Sequence, residues 1–203
     1  DPYHLNTANL IVERVLERQA PDGEWPRVMV PGHCHCQIPC IGSCGFMKAV
    51  LLDGLVAYNH EVPSTRVEEA IVKGAEALVR TMWDETVKKF KYTSCKGRVS
   101  HTSGLNEPVI VHGAILNQDQ ELLNVGYKAL KSCIEGIHSG FGKNLGVYAR
   151  RSPQYIGIME QNQDLIDVDD DITVSKKFKS SSFFLLLLVV GGIGYLSRSM
   201  KIS

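Results

Sequence analysis

GFMKAVLLDGLVAYNHEVPSTRVEEAIVKGAEALVRTMWD, residues 45–84, decides the fold, because its two halves follow different patterns. In 64–83, Val67, Ile71, Leu78 and Met82 fall on one helical face, with Ala70, Gly74 and Ala75 beside them. Arg66, Glu69, Lys73, Glu76 and Arg80 fall elsewhere. This is the period of a helix with one buried stripe. Thr65 and Glu68, just after Pro63, predict a capping box. Glu69–Lys73 and Glu76–Arg80 are i,i+4 pairs in the favourable order. In 44–59, the run FMKAVLLDGLVAY is apolar nearly all round, interrupted by Lys48 and Asp53. A helix of that kind wants burial on every side. Together the halves predict a helical hairpin with a buried inner and an amphipathic outer member.

The alternation continues outward. Segment 119–137 carries a stripe of Leu122, Leu123, Gly126, Ala129, Leu130, Cys133, Ile134 and Ile137, and segment 5–19 one of Leu5, Ala8, Val12, Val15 and Leu16. In 107–117, PVIVHGAIL is again apolar all round except at His112, and its β-branched residues 109–111 leave a strand as the competing reading. Leu51–Val56 aligns with Ile110–Ile115 at an offset of 59 positions, and Gly74–Leu78 with Gly126–Leu130 at 52. This is a weak repeat of one hairpin. The expected fold class is mainly α, with repeated helical hairpins in two layers forming a partial α/α toroid. LGVYA (145–149) and QYIGIM (154–159) are expected as short strands.

The unit in 45–84, an apolar helix ending in tyrosine, a short loop, an amphipathic helix and Trp83-Asp84, resembles one hairpin of the six-hairpin glycosidase and polysaccharide-lyase toroids. DGEW at 22–25 resembles the loops that close their hairpins. The likeness spans residues 5–140, and other α/α toroids, terpene-cyclase-like ones included, share its motifs. Five legible helices fall short of a closed ring, so the chain is expected to be a fragment or a partial solenoid. Asp1 in place of Met also fits a processed chain or a fragment.

The resemblance implies an active end built from loops, here 20–44 and 84–106, which with Glu107 supply Trp25, Arg27, His33, His35, Tyr92, Arg98 and His101. Tyr92, His101, His112 and Asp53 are then the expected catalytic residues, since Tyr and His serve as base and acid in lyase chemistry. Trp25 and Arg98 are the expected substrate contacts, because aromatics stack on sugar rings. Asp53 and His112 hold equivalent places in the two apolar helices, each before a glycine. Each must find a partner or line a cavity such as the funnel of a toroid.

Six cysteines are present, four of them within HCHCQIPCIGSC, residues 33–44. The even count suits an oxidising compartment and disulfides, with Cys95 as one partner. Cys36, Cys40 and Cys44 at intervals of four, with His33, form the candidate metal set, since zinc takes Cys and His in fours. Unpaired thiols packed in a helical core are the third reading. The sequence names no cofactor.

SSSFFLLLLVVGGIGYLS, residues 180–197, carries no charge, and its apolar core is 183–196. That is short against the ~20 residues of a membrane span, so the segment spans with help from its serines or a thinner bilayer. Lys176, Lys177 and Lys179 precede it, and Arg198 and Lys201 follow. The expected organisation is a hairpin domain at 1–140, an irregular segment and charged linker including DLIDVDDD at 141–179, a transmembrane helix at 180–197 and a basic tail at 198–203. The expected partner is the lipid bilayer, with the domain on the extracytoplasmic side.

Lys+Arg and Asp+Glu both number 22 in 203 residues, so no basic excess points to nucleic acid. Walker, GxGxxG, GxSxG, HExxH and N-x-S/T patterns are absent from the sequence, which argues against nucleotide enzymes, serine hydrolases and zinc proteases. Two functions remain. One is a membrane-anchored domain related to carbohydrate-active enzymes, either a polysaccharide lyase or a glycoside hydrolase, with a polysaccharide as its ligand. The other is a non-catalytic, membrane-anchored interaction or scaffold protein.

Overall fold

A computed structural model describes residues 2–97, 100–102, 105–135 and 157. All lie in the first of two compact units, Asp1–Ile166; the second is Asp167–Ser203. The chain is mainly α. Helices α1 (Pro2–Glu17), α2 (Gly45–Glu61), α3 (Thr65–Met82), α4 (Asn106–Asn117) and α5 (Gln120–Glu135) fall where the sequence places three amphipathic and two all-round apolar segments. Between α1 and α2, β1 (Arg27–Val28) pairs antiparallel with β2 (Ile41–Gly42). Between α3 and α4, β3 (Trp83–Asp84), β4 (Lys89–Lys91) and β5 (His101–Thr102) form an antiparallel meander.

Two helical hairpins are joined by tight turns. In the first, Ser64 is the N-cap of α3 and its amide donates to Asn59 Oδ1, while Asn59 Nδ2 donates to Glu68 Oε1. The capping box expected from Thr65 and Glu68 is therefore replaced. Thr65 is already helical, and the Glu68 carboxylate serves the preceding helix. In the second, Gln118 caps α4 in the left-handed conformation (φ 53°), and Asp119 Oδ1 accepts from the Leu122 amide at 2.9 Å to start α5.

Residues 109–111 are helical and not a strand. Val109, Ile110 and Val111 are all at most 1% exposed in the core that α4 shares with α3 and α5. Burial there outweighs the weak strand preference of β-branched side chains. Leu52, Ile71, Leu78, Met82 and Phe90 complete that core.

The helix seams close on glycine. A Cβ at Gly74 would lie 2.6 Å from Leu52 Cδ2, at Gly113 2.6 Å from Ala75 Cβ, and at Gly126 2.7 Å from Val111 Cγ2. Burial of α2 is incomplete. It packs on α3 and α4, yet Val50 is 55% and Met47 39% exposed.

The short turns, 62–64 and 118–119, lie at one end of the hairpins. The long connections, 18–44 and 83–105, lie at the other. Backbone bonds sew the long ones together: Gly45 N–H to Tyr92 O at 2.9 Å, Ser94 N–H to Ser43 O at 3.0 Å, and a bridge between Cys44 and Thr93. Among the described residues no helix is long and apolar enough to cross a membrane. The expected spans at 141–179 and 180–197 lie outside the described residues apart from Gly157, as do the expected strand 145–149 and all but that glycine of 154–159.

Candidate functional site

The long connections bring four cysteines into one group. Cys34, Cys36 and Cys40 come from the first and Cys95 from the second, and their Sγ atoms all lie within 4.8 Å of one another. Cys34 Sγ is 3.3 Å from Cys40 Sγ and 3.5 Å from Cys95 Sγ, and Cys36 Sγ is 3.5 Å from Cys95 Sγ. Backbone amides of Cys40 and Cys36 turned toward Cys34 bring its thiol down to about 6. The amide of His35 likewise lowers Cys95. Sharing a hydrogen with Cys34 raises Cys36 and pushes Cys40 up to about 12, because neighbouring sulfurs cannot all ionise side by side. Four thiols in this arrangement suit a single soft metal ion.

Of the metal set expected from spacing, Cys36 and Cys40 belong to this group, whereas Cys44 and His33 do not. Cys44 Sγ reaches Tyr92 O at 3.5 Å. The His33 ring lies edge-on to Phe46 and Tyr92, and its Nδ1 is 3.0 Å from Arg27 Nη2. Segment 33–40 is non-helical, so intervals of four do not decide which of these side chains meet. Spacing missed two members of the group, Cys34 and Cys95; Cys95 sits in SCKG, two residues before a glycine whose absent side chain leaves room beside Cys36 Sγ.

The other expected residues separate into distinct neighbourhoods. Tyr92 stacks on Phe46 with centroids 5.2 Å apart. His101 Nε2 is 3.0 Å from Asp84 Oδ2, and this bond to His101 holds the Asp84 carboxyl below its ordinary value. His112, half-buried on α4, is pushed down by burial, with the Glu68 carboxylate of α3 acting in the opposite sense. Asp53 is half-buried on α2. Arg98 lies outside the described residues.

Trp25 belongs to the α1 side, where its Nε1 donates to Val15 O at 2.8 Å and its ring edge lies over Gly74. It also lines a groove of about 600 Å³ with Leu10, Ile11, Val15 and Leu51, bordered by Arg14, Arg18 and Arg27. That volume is within the ~300–1,000 Å³ of small-ligand sites. Leu10 and Ile11, 71% and 58% exposed, open the groove to solvent.

DGEW forms a turn packed on α3. Gly23 has φ 82°, and a Cβ there would stand 2.1 Å from Lys73 O, which only glycine allows. Behind it lies a buried polar knot that the sequence did not reveal. The Glu24 carboxylate pairs with Lys48 Nζ at 2.6 Å, and accepts from Ser43 Oγ at 2.6 Å and Thr81 Oγ1 at 2.9 Å. Burial lowers the Lys48 ammonium. Compared with known proteins, the chain matches no family model, no curated protein and no solved structure.

Proposed function

We propose that this chain is a helical-hairpin binding module for an anionic polysaccharide, related in architecture to the carbohydrate-active α/α toroids and tethered to a membrane through residues 180–197. The observation that carries the reading is the groove beside α1. One indole and an apolar floor meet three guanidinium groups, Arg14, Arg18 and Arg27. An indole face suits the apolar face of a sugar ring, and guanidinium recognises carboxylate. The first long connection contributes Trp25, Pro26 and Arg27 to the groove, in keeping with the concentration of binding residues on loops held by a rigid scaffold. In this reading α2–α3 and α4–α5 are two hairpins of a partial toroid, and the exposed Met47 and Val50 of α2 lie on its open side.

The test is calorimetry of the full chain in detergent with a polyuronate oligomer and a neutral glucan of equal length. The polyuronate is expected to bind and the glucan not, with Arg18→Ala weakening binding roughly tenfold, which equals ~1.4 kcal/mol. Equal binding of both glycans, or of neither, overturns the reading.

The Asp84–His101 pair, which lies outside that groove, favours a second reading in which a separate polysaccharide lyase or hydrolase site forms around it with His101 as the acid–base group. His101→Gln would then abolish depolymerisation while leaving glycan binding intact.

A further inference from the structure

We infer that Cys34, Cys36, Cys40 and Cys95 hold one zinc ion in a closed tetrathiolate centre that staples the two long connections together. Four thiolates ~2.3 Å from a shared zinc stand roughly 3.8 Å apart at tetrahedral angles, whereas a disulfide brings its sulfurs to ~2.05 Å. Three pairs here lie at 3.3, 3.5 and 3.5 Å, and the whole group fits within 4.8 Å. Nor do the sulfurs divide into couples. Cys34 is near both Cys40 and Cys95, and Cys95 is near both Cys34 and Cys36. That pattern suits one central ion better than two bridges.

The surroundings are those of a thiolate site. The Cys36 amide donates to Cys34 Sγ at 3.3 Å, the Cys40 amide also faces Cys34, and the amides of His35 and Gly97 face Cys95. Such N–H groups stabilise negative sulfur and orient the ligands. A side chain at Gly97 would begin 3.3 Å from Cys36 Sγ, so glycine leaves room for the fourth sulfur. Cys36 is exposed, which gives an ion its way in.

Apolar burial around the cysteines is small. Among the described residues the hydrophobic cluster there is Met29, Cys34 and Cys95, with Cys40 against it, while Ile38 and Ile41 are 83% and 75% exposed. So small a cluster cannot order a long connection by apolar burial, and metals serve that purpose in small units. Soft sulfur ligands in fours select zinc or iron over magnesium and calcium. Four protein ligands leave no open coordination position, so the role is structural. Each thiol releases its proton to solvent as it ligates. The inference stands apart from the glycan proposal, since the groove beside α1 contains none of these cysteines.

The experiment is metal analysis of the full chain purified under reducing conditions, followed by exchange of the bound metal for cobalt(II). One zinc per chain is expected, and the cobalt form should show sulfur-to-metal charge transfer and tetrahedral d–d bands. Cys34→Ser and Cys95→Ser should lose the metal, while Cys44→Ser and Cys133→Ser keep it. If the ligand variants fail to fold, the cobalt spectrum of the unaltered chain still decides the question. Metal-free protein, the colour of an iron tetrathiolate, a mass deficit of two hydrogens per disulfide, or zinc loss in Cys44→Ser would each overturn the proposal.

Discussion

Replacing glycine by alanine at two helical positions should give opposite signs. Gly54 lies on the exposed side of α2, where an added methyl group would meet nothing within 4 Å. Gly113 lies on α4, where that methyl group would stand 2.6 Å from Ala75 Cβ. In a helix interior, glycine costs about 1 kcal/mol relative to alanine. Gly54→Ala is therefore expected to stabilise by roughly 0.5–1 kcal/mol. At Gly113 the same gain opposes a clash between two methyl groups fixed to rigid helices. Carbon contacts settle at ~3.5–4.0 Å, so α3 and α4 must part by about 1 Å. Overpacking of this kind costs ~1–3 kcal/mol, and because neither methyl group can swing aside the upper part of that range, ~2–3 kcal/mol, applies, leaving Gly113→Ala destabilised by about 1–2 kcal/mol. Urea unfolding followed by circular dichroism reads both; at ~2 kcal/mol per molar, the Gly113→Ala midpoint should fall by ~0.5–1 M and the Gly54→Ala midpoint rise by ~0.3–0.5 M. Ala75→Gly added to Gly113→Ala should recover more than additivity allows, because the two positions touch. Stabilisation at both positions, or strict additivity in the double variant, would refute the α3–α4 seam.

Glu24→Ala should cost ~3–5 kcal/mol in the same assay, because it strands a buried ammonium, Lys48 being 2% exposed at its side chain. Glu24→Gln combined with Lys48→Met should cost much less. His112 has its imidazole lowered by burial, so below the ordinary histidine range the unfolded chain binds the proton that the folded chain refuses. Stability should therefore rise with pH through that window, and His112→Gln should flatten the rise in a urea titration run from pH 5 to pH 8. The tether predicts that the full chain floats with liposomes in a density gradient and that a chain ending at Ile166 does not.

Helices α1, α3 and α5 were legible because each carries its period in its own residues. Val67, Ile71, Leu78 and Met82 mark α3 without reference to anything distant. The long connections were not. Their order depends on contacts such as Cys95 with Cys34 and Glu24 with Lys48, which join positions far apart in the chain and leave no local periodicity. The helical nature of 109–111 was ambiguous for the related reason that burial from α3 and α5 decided it. Trp25 was expected beside Tyr92 and His101 because all lie in loops, but its indole is pinned to the end of α1 through Val15 O, which moves it to a separate groove.

The two tryptophans, Trp25 and Trp83, allow the binding claim to be read residue by residue. In a nitrogen–proton correlation spectrum of the full chain, titration with polyuronate should shift the Trp25 indole signal. The Trp83 signal, whose N–H is held by Glu85 at 2.7 Å, should stay in place. A titration that moves only Trp83, or neither indole, would contradict the account.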